Sequence, residues 1–267
     1  MKLAYYTKKA PVLSDPAIVE MFSALAARGC DCYEVNPDRG LAPETDVLLA
    51  IGGDGTFLSA AHIAAMTGVP VMGVNHGRLG FLSENKPGDV VKLLLDGAGH
   101  VETRTMLDAE CGSAKKLMAL NEVSVTREGA GILGIDVSID GHPLPTYWAD
   151  GLLVSTSSGS TAYSLSAGGP ICTPDSKVMI ITPLAPHNLN VRPLVVPETT
   201  KVEISLKSRD KELFLSADTS RSVIGSSSKI KISSVPDALR ILDSGKSAFI
   251  EALSSKLFWG EDMRNAK

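Results

Sequence analysis

Three short stretches of the chain hold residue types that can do chemistry. The first is Gly52-Gly53-Asp54-Gly55-Thr56, between an apolar strand pattern at residues 46–51 and a helical pattern beginning near Thr56. A glycine-rich turn at the carboxyl end of a parallel strand lets backbone N–H groups approach phosphates. The helix N-terminus beyond it adds a favourable dipole. The loop is not GxGxxG, because Leu58 stands where the last glycine belongs, and it is not a Walker A loop, because no lysine follows. Asp54 separates it from a passive phosphate cradle. A carboxylate beside polyphosphate is repelled unless a metal or a proton-transfer role offsets the charge, so Asp54 is a candidate base for an attacking hydroxyl. The plainer alternative is a turn in which Asp54 only caps the next helix. Gly245-Lys246-Ser247 carries the ending of a Walker loop, but Arg240 occupies the required first glycine.

The second stretch is Asn121-Glu122, inside the strand-like residues 117–125. Side chains alternate along a strand, so the two point to opposite faces unless the chain bulges there. Such a pair can hydrogen-bond a ribose or an amide; an edge strand meeting water is the alternative. The third stretch, residues 150–170, runs from a strand into a hydroxyl-rich turn, a short helix and a Gly168-Gly169-Pro170 stop. Small residues admit a flat ligand, hydroxyls supply donors, and Tyr163 can stack on a base or bond through its phenol. Serine-rich turns are also commonly just solvated loops. Neither GxSxG nor a nucleophile–base pair accompanies this one, which argues against serine-hydrolase chemistry.

The elements that must position these groups divide into two patterns. Through residue 100, strands (2–7, 31–35, 46–51, 70–75) alternate with helical stretches (15–29, 56–66, 86–95). Asp15 can cap the first helix, with Pro16 as its first residue and Gly29 at its end. Its apolar stripe is Ile18, Val19, Phe22, Leu25 and Ala26. This alternation predicts an α/β domain with a parallel, Rossmann-like sheet. From about Thr103 the segments become short and β-branched (118–127, 133–140, 152–155, 178–181, 201–207, 212–216, 229–233), with turn residues between them. They predict a second, sandwich-like all-β domain. Residues 247–259 return to helical spacing, with Phe249, Leu253 and Leu257 four apart. The expected division is 1–100, 101–245, and a helical tail at 246–267 that packs back on the first domain.

Composition bounds the function class. The net charge of -4 argues against nucleic-acid or anionic-membrane partners, so an anionic ligand must be held by local features. The longest apolar runs, such as 47–51 and 178–181, are too short to span a bilayer, and the first residues do not read as a secretory signal. Cys30, Cys32, Cys111 and Cys172 fit neither a zinc motif nor a disulfide framework, and the five histidines show no paired spacing. A reduced, cytoplasmic protein without a dedicated metal site is expected.

Taken together, the three stretches resemble the NAD kinase family, which is marked by GGDGT, an Asn-Glu pair and DG…TxxGSTAYxxSxGGP. Here these are residues 52–56, Asn121-Glu122, and Asp150-Gly151 followed by Thr156, Gly159-Ser160-Thr161-Ala162-Tyr163, Ser166 and Gly168-Gly169-Pro170. Leu79-Gly80-Phe81-Leu82, Pro183-Leu184-Ala185-Pro186-His187, Arg192-Pro193 and Lys256-Leu257-Phe258-Trp259-Gly260 also match. GGDGT alone is shared with lipid kinases, but the order and spacing of the blocks are specific.

The resemblance implies a two-domain fold with the active site between the domains, and transfer of the γ-phosphoryl group of ATP to the adenosine 2′-hydroxyl of NAD, giving NADP. It implies Asp54 as general base and Gly52, Gly53, Gly55 and Thr56 around the phosphates. Phe81, Asn121, Glu122, Asp150, Ser158, Thr161, Ala162, Tyr163, Ser166 and Ala185 would bind the dinucleotide. Mg2+ is expected with ATP. A homodimer or homotetramer is expected, residues around Asp150 crossing to the neighbour's site. Three positions depart from the family: Ser157-Ser158 where many members have Pro-Thr, Trp148 where a basic residue is common, and Asp218-Thr219-Ser220 where many have Asp-Gly-Gln. The rival readings are a lipid or sugar kinase sharing the GGDGT loop, and a nucleotide-binding sensor without catalysis.

Overall fold

A computed structural model describes residues 1–75, 80–82, 85–112, 116–210, 212–245 and 247–257. In chain order the strands and helices of the first hundred residues are β1 (Lys2–Tyr6), α1 (Pro16–Ala27), β2 (Asp31–Glu34), β3 (Val47–Ile51), α2 (Asp54–Ala64), β4 (Val71–Val74) and α3 (Val90–Leu95). Strands β5 (His100–Cys111), β6 (Leu117–Ala119), β7 (Glu122–Thr126), β8 (Leu133–Ile139), β9 (His142–Pro143), β10 (Tyr147–Ala149) and β11 (Gly151–Thr156) follow. Beyond them come α4 (Tyr163–Ser166), β12 (Val178–Leu184), β13 (Leu194–Pro197), β14 (Val202–Lys207), β15 (Glu212–Ala217), β16 (Ser220–Gly225), β17 (Lys229–Asp243) and α5 (Ser247–Leu257). The chain separates into two compact units, residues 1–103 with 239–267, and residues 104–238.

In the first unit β2, β1, β3 and β4 pair in parallel, in that order, and the end of β17 adds to β4 through Ile241 and Val71. The order explains where a ligand belongs. From β1 the chain crosses to one side, to β2; from β3 it crosses to the other, to β4. Between β1 and β3 the direction of winding reverses, and the crevice at the carboxyl ends of those strands is where doubly wound sheets bind ligands. The loop Gly52-Gly53 leaves β3 at that end.

Every residue of β3 is buried, as a strand covered on both faces must be. One face packs Leu3, Val47, Leu49, Ile51, Met72 and Val74 against Ile18, Met21 and Leu25 of α1 and Val90 and Leu93 of α3. The apolar stripe of α1 is therefore rotated from the sequence expectation. Met21 is buried, whereas Val19 is 49% exposed and Ala26 is exposed. Asp15 caps α1 by accepting the Ala17 N–H at 2.9 Å, with Pro16 in the first helical position.

The second unit is an antiparallel sandwich. One sheet pairs β10, β8, β14 and the first part of β17. The other runs β13, β12, β11, β7, β15, β16. Alternate residues of both meet in one core: Leu133, Ile135, Val202, Ile204, Ile230 and Ile232 with Val123, Val125, Leu152, Val154, Leu213 and Leu215. Strands β5, β9, β10, β13 and β16 were not anticipated from the sequence. In β16 the cause is plain: it is an edge strand, largely exposed, and lacks apolar alternation. Strand β17 runs ten residues beyond the expected end at residue 233, because Pro236 and Asp237 interrupt its apolar pattern.

Candidate active site

Local chemistry makes the loop after β3. Gly52 has φ +151°, and a Cβ there would lie 2.6 Å from Thr56 Oγ1, so only glycine fits. Its N–H is held by the Val74 carbonyl at 2.9 Å. Helix α2 begins at Asp54, two residues earlier than the sequence pattern indicated, with Gly53 as its N-cap. Asp54 is thus the first helical residue rather than a cap, and its charge lies in the favourable first turn. Phe57, fully buried one turn on, anchors the helix start; burying such a side chain contributes about 1.5–3 kcal/mol. Cβ atoms added to Gly53 or Gly55 would meet nothing within 4 Å. The protein's own packing does not demand glycine at either position.

The Asp54 carboxylate is oriented from outside its own loop. Oδ2 accepts the Phe81 N–H at 3.0 Å and Oδ1 the Leu82 N–H at 3.1 Å. A Cβ on Gly80 would overlap Oδ1, which explains glycine there. Leu79, matched by the same motif, lies outside the described residues. Lys256 Nζ of α5 stands 3.8 Å from Asp54 Oδ2 and 4.3 Å from the centre of the Phe81 ring, and the Phe249 ring centre lies 6.3 Å from that ring. The Asp54 side chain keeps 36% of its exposure. Phe258, Trp259, Gly260 and Lys246 lie outside the described residues.

In the second unit the strand expected at 118–127 breaks at Leu120-Asn121, and the break has a distant cause. Asp218, at φ +48°, accepts the N–H groups of Leu120 (2.7 Å), Asn121 (2.8 Å) and Glu122 (3.2 Å). Its own N–H bonds the Glu122 carbonyl. The irregular backbone is thereby satisfied and the Asn-Glu pair fixed. Thr156 closes the other side, donating its N–H to the Asn121 carbonyl and its Oγ1 to that of Leu120. Gly159 packs so closely that a Cβ would collide with the Asn121 backbone. Asn121 and Ser158 are buried, Thr161 and Ala162 partly so, and Tyr163 is 45% exposed.

Glu122 is the electrostatic outlier. Burial, then the Asp218 charge, push its carboxyl up to about 7, against the opposing Tyr163 N–H bond. Its Oε2 is buried with no hydrogen-bond partner, a costly condition unless a ligand hydroxyl supplies one. The structure therefore joins Asn121, Glu122, the 158–162 turn and Tyr163. Ser166 follows on α4 and is exposed. Asp150 and Ala185 do not join them. They sit at the other end of β11, about 20 Å of extended chain from Ser158. There Asp150 pairs with Arg127 at 2.7 Å, and Ala185 holds φ +43°.

Among the described residues no three His, Cys, Asp or Glu side chains cluster to hold a metal, and no helix is long and apolar enough to cross a membrane. Family models described as the ATP-NAD kinase N-terminal and C-terminal domains match residues 36–96 and 120–246. The chain is 38% identical over 236 residues to the NAD kinase of Flavobacterium psychrophilum, covering 85% of this chain and 80% of that one. The chain belongs to the NAD kinase family. It is a phosphotransferase of that family, and the NAD kinase of Porphyromonas gingivalis is likewise 38% identical over 229 residues, 84% of this chain and 80% of that one. A yeast NADH kinase complexed with NADH shares the fold (TM-score 0.87, 22% identity, 100% of this chain, 90% of that one). So does an NAD kinase from Archaeoglobus fulgidus in complex with ATP (TM-score 0.77, 25% identity, 93% and 96%).

The departures from the NAD kinase pattern now have structural descriptions. Ser157-Ser158 still forms a tight turn, with Ser157 Oγ donating to the Pro174 carbonyl at 3.0 Å. The Trp148 ring packs over Gly134, where a Cβ would come within 2.9 Å of it. Asp218 keeps its anchoring function with Thr219-Ser220 after it. Sequence reasoning gave Asp218, Lys256 and Phe249 no role in the site. The surviving aspartate of the Asp-Gly-Gln block, and the lysine of the tail motif, were the available signals.

Proposed function

We propose that this chain transfers the γ-phosphoryl group of ATP to the 2′-hydroxyl of the adenosine ribose of NAD, with Asp54 as general base. The observation that carries the reading is the Asp54 carboxylate itself, fixed by two backbone N–H groups at a helix start beside two glycines with open space before them. Each carboxylate oxygen accepts one of these N–H groups and keeps a lone pair for the hydroxyl proton. As the ribose oxygen bonds to phosphorus, its proton passes to Asp54 and the bond to the ADP oxygen breaks. Gly53 and Gly55 bring backbone N–H groups and the α2 dipole to the phosphates, while Gly52 and Thr56 shape the turn beside them, their own N–H groups donated to the Val74 and Gly53 carbonyls. Mg2+ bound to ATP would supply positive charge to its phosphates.

Asn121 and Glu122 grip the dinucleotide, the unpartnered Glu122 Oε2 accepting a hydroxyl and so regaining the hydrogen bond that burial denies it. Ser158, Thr161, Ala162, Tyr163 and Ser166 add to that grip, and Phe81 serves the substrate beside Asp54. The placement of Asp150 and Ala185 at the far end of β11 supports their serving a neighbouring subunit's site in a homodimer or homotetramer. The four free thiols suit a cytoplasmic setting. The test is incubation of the purified protein with ATP, Mg2+ and NAD, read by mass spectrometry. The reading requires NADP to form. Phosphorylation of a diacylglycerol or hexose phosphate instead, or NAD binding without transfer, would overturn it.

A further inference from the structure

We infer that Lys256 is a catalytic residue of this site, its ammonium group meeting the γ-phosphoryl group in flight. The inference rests on the assignment of Asp54 as base, and three observations carry it. Nζ stands 3.8 Å from Asp54 Oδ2, so a hydroxyl hydrogen-bonded to that oxygen, and the phosphorus it attacks, come within reach of the same cation. The side chain is only 23% exposed, and its charge lies 4.3 Å over the ring of Phe81, whose backbone N–H donates to the same Asp54 Oδ2. Phe249 and Lys256 lie seven residues apart on α5, two helical turns, so one face of the helix presents both: the phenyl ring toward Phe81 and the ammonium toward Asp54.

The chemistry needs a cation there. When the ribose O–H breaks, its proton goes to Asp54. The O–P bond forms, and the bond from phosphorus to ADP breaks with its electron pair on the leaving oxygen. Through this step a carboxylate and phosphoryl oxygens crowd together, and a positive group already placed beside Asp54 offsets their repulsion without having to reorganise. A structural tether predicts something different. A lysine in the last turn of a helix also complements the helix dipole and packs on an aromatic ring, and in that case its loss affects stability alone.

Lys256→Met keeps the apolar stem and removes the charge; Lys256→Arg keeps the charge. Both are compared with Asp54→Asn by steady-state kinetics, varying ATP and NAD separately, alongside thermal melts. Lys256→Met is expected to lower kcat about 10- to 100-fold and to raise KM for ATP, with KM for NAD within about twofold. Lys256→Arg is expected to recover most of the lost kcat. Wild-type kcat and KM for ATP in Lys256→Met, with or without a lowered melting temperature, overturn the inference. So does an equal loss in both variants. If Lys256→Met does not fold, the Arg variant decides: folded but inactive, it too overturns the inference. Should Asp54→Asn retain turnover, the base assignment is what fails, and the Lys256 kinetics are then read independently of it.

Discussion

Replacing Asp218 by Asn tests how the Asn-Glu segment is held. Asp218 sits at φ +48°, a conformation Asn adopts with little strain, so the change isolates the carboxylate from the backbone. The aspartate takes three N–H bonds of 2.7, 2.8 and 3.2 Å across two oxygens. An amide has one carbonyl oxygen, so at least one N–H then faces an NH2 group. Hydrogen bonds to a charged acceptor contribute about 1.5–3 kcal/mol each, and the bonds that survive to a neutral oxygen are weaker. The expected loss is about 3–4 kcal/mol, large for a single substitution that leaves no cavity. For a chain of this size that lowers the melting temperature by roughly 6–15 °C. Differential scanning fluorimetry over the wild type and the variant reads it directly, and KM for NAD is expected to rise in parallel as Asn121-Glu122 loosens. A melting temperature within about 2 °C of wild type would refute the claim that Asp218 holds this break in the strand.

Glu122→Gln tests the buried carboxyl, whose value rises from 4.5 to about 7. Between those values the folded protein keeps a proton that the unfolded chain has released, so wild-type stability falls as pH rises from about 4.5 to about 7. The shift corresponds to about 3 kcal/mol, so the Gln variant should be up to about 2–3 kcal/mol more stable than wild type at pH 8 and equal to it near pH 4.5, while binding NAD more weakly. A stability difference independent of pH, read from melts across that range, would contradict the cause assigned. Gly159→Ala drives a methyl group into the Asn121 backbone. It should cost about 1–3 kcal/mol in thermal unfolding and raise KM for NAD, and a neutral effect on both would mean the segment relaxes freely.

Much of the first unit was legible because its causes are local. Strand β3 reads as five consecutive apolar residues stopped by Gly52, and α1 announces itself through Asp15 and Pro16. What stayed hidden depends on partners far along the chain. The break at Leu120-Asn121 is imposed by Asp218, 97 residues beyond Asn121, and nothing in the segment 117–125 signals it. The motif Leu79-Gly80-Phe81-Leu82 was visible only as a resemblance. The structure supplies its reason, since Gly80 leaves room for the Asp54 carboxylate and the next two N–H groups orient it. The start of α2 was misplaced by two residues because Asp54 and Gly55 read as turn formers, whereas Gly53 alone serves as the cap. The orphaned oxygen of Glu122 follows from burial, which no local pattern discloses.

The proposed catalysis depends on one carboxylate taking a proton, and a single substitution addresses it. In Asp54→Asn the side chain keeps its size, but its one carbonyl oxygen serves only one of the Phe81 and Leu82 N–H groups, and it no longer accepts a proton. NADP formation from ATP and NAD, measured beside NAD affinity and a melting curve, is predicted to fall by about 10²–10⁴-fold while NAD affinity changes little and the protein stays folded, with a lowered melting temperature from the lost N–H bond. Turnover close to that of the wild type would contradict the account.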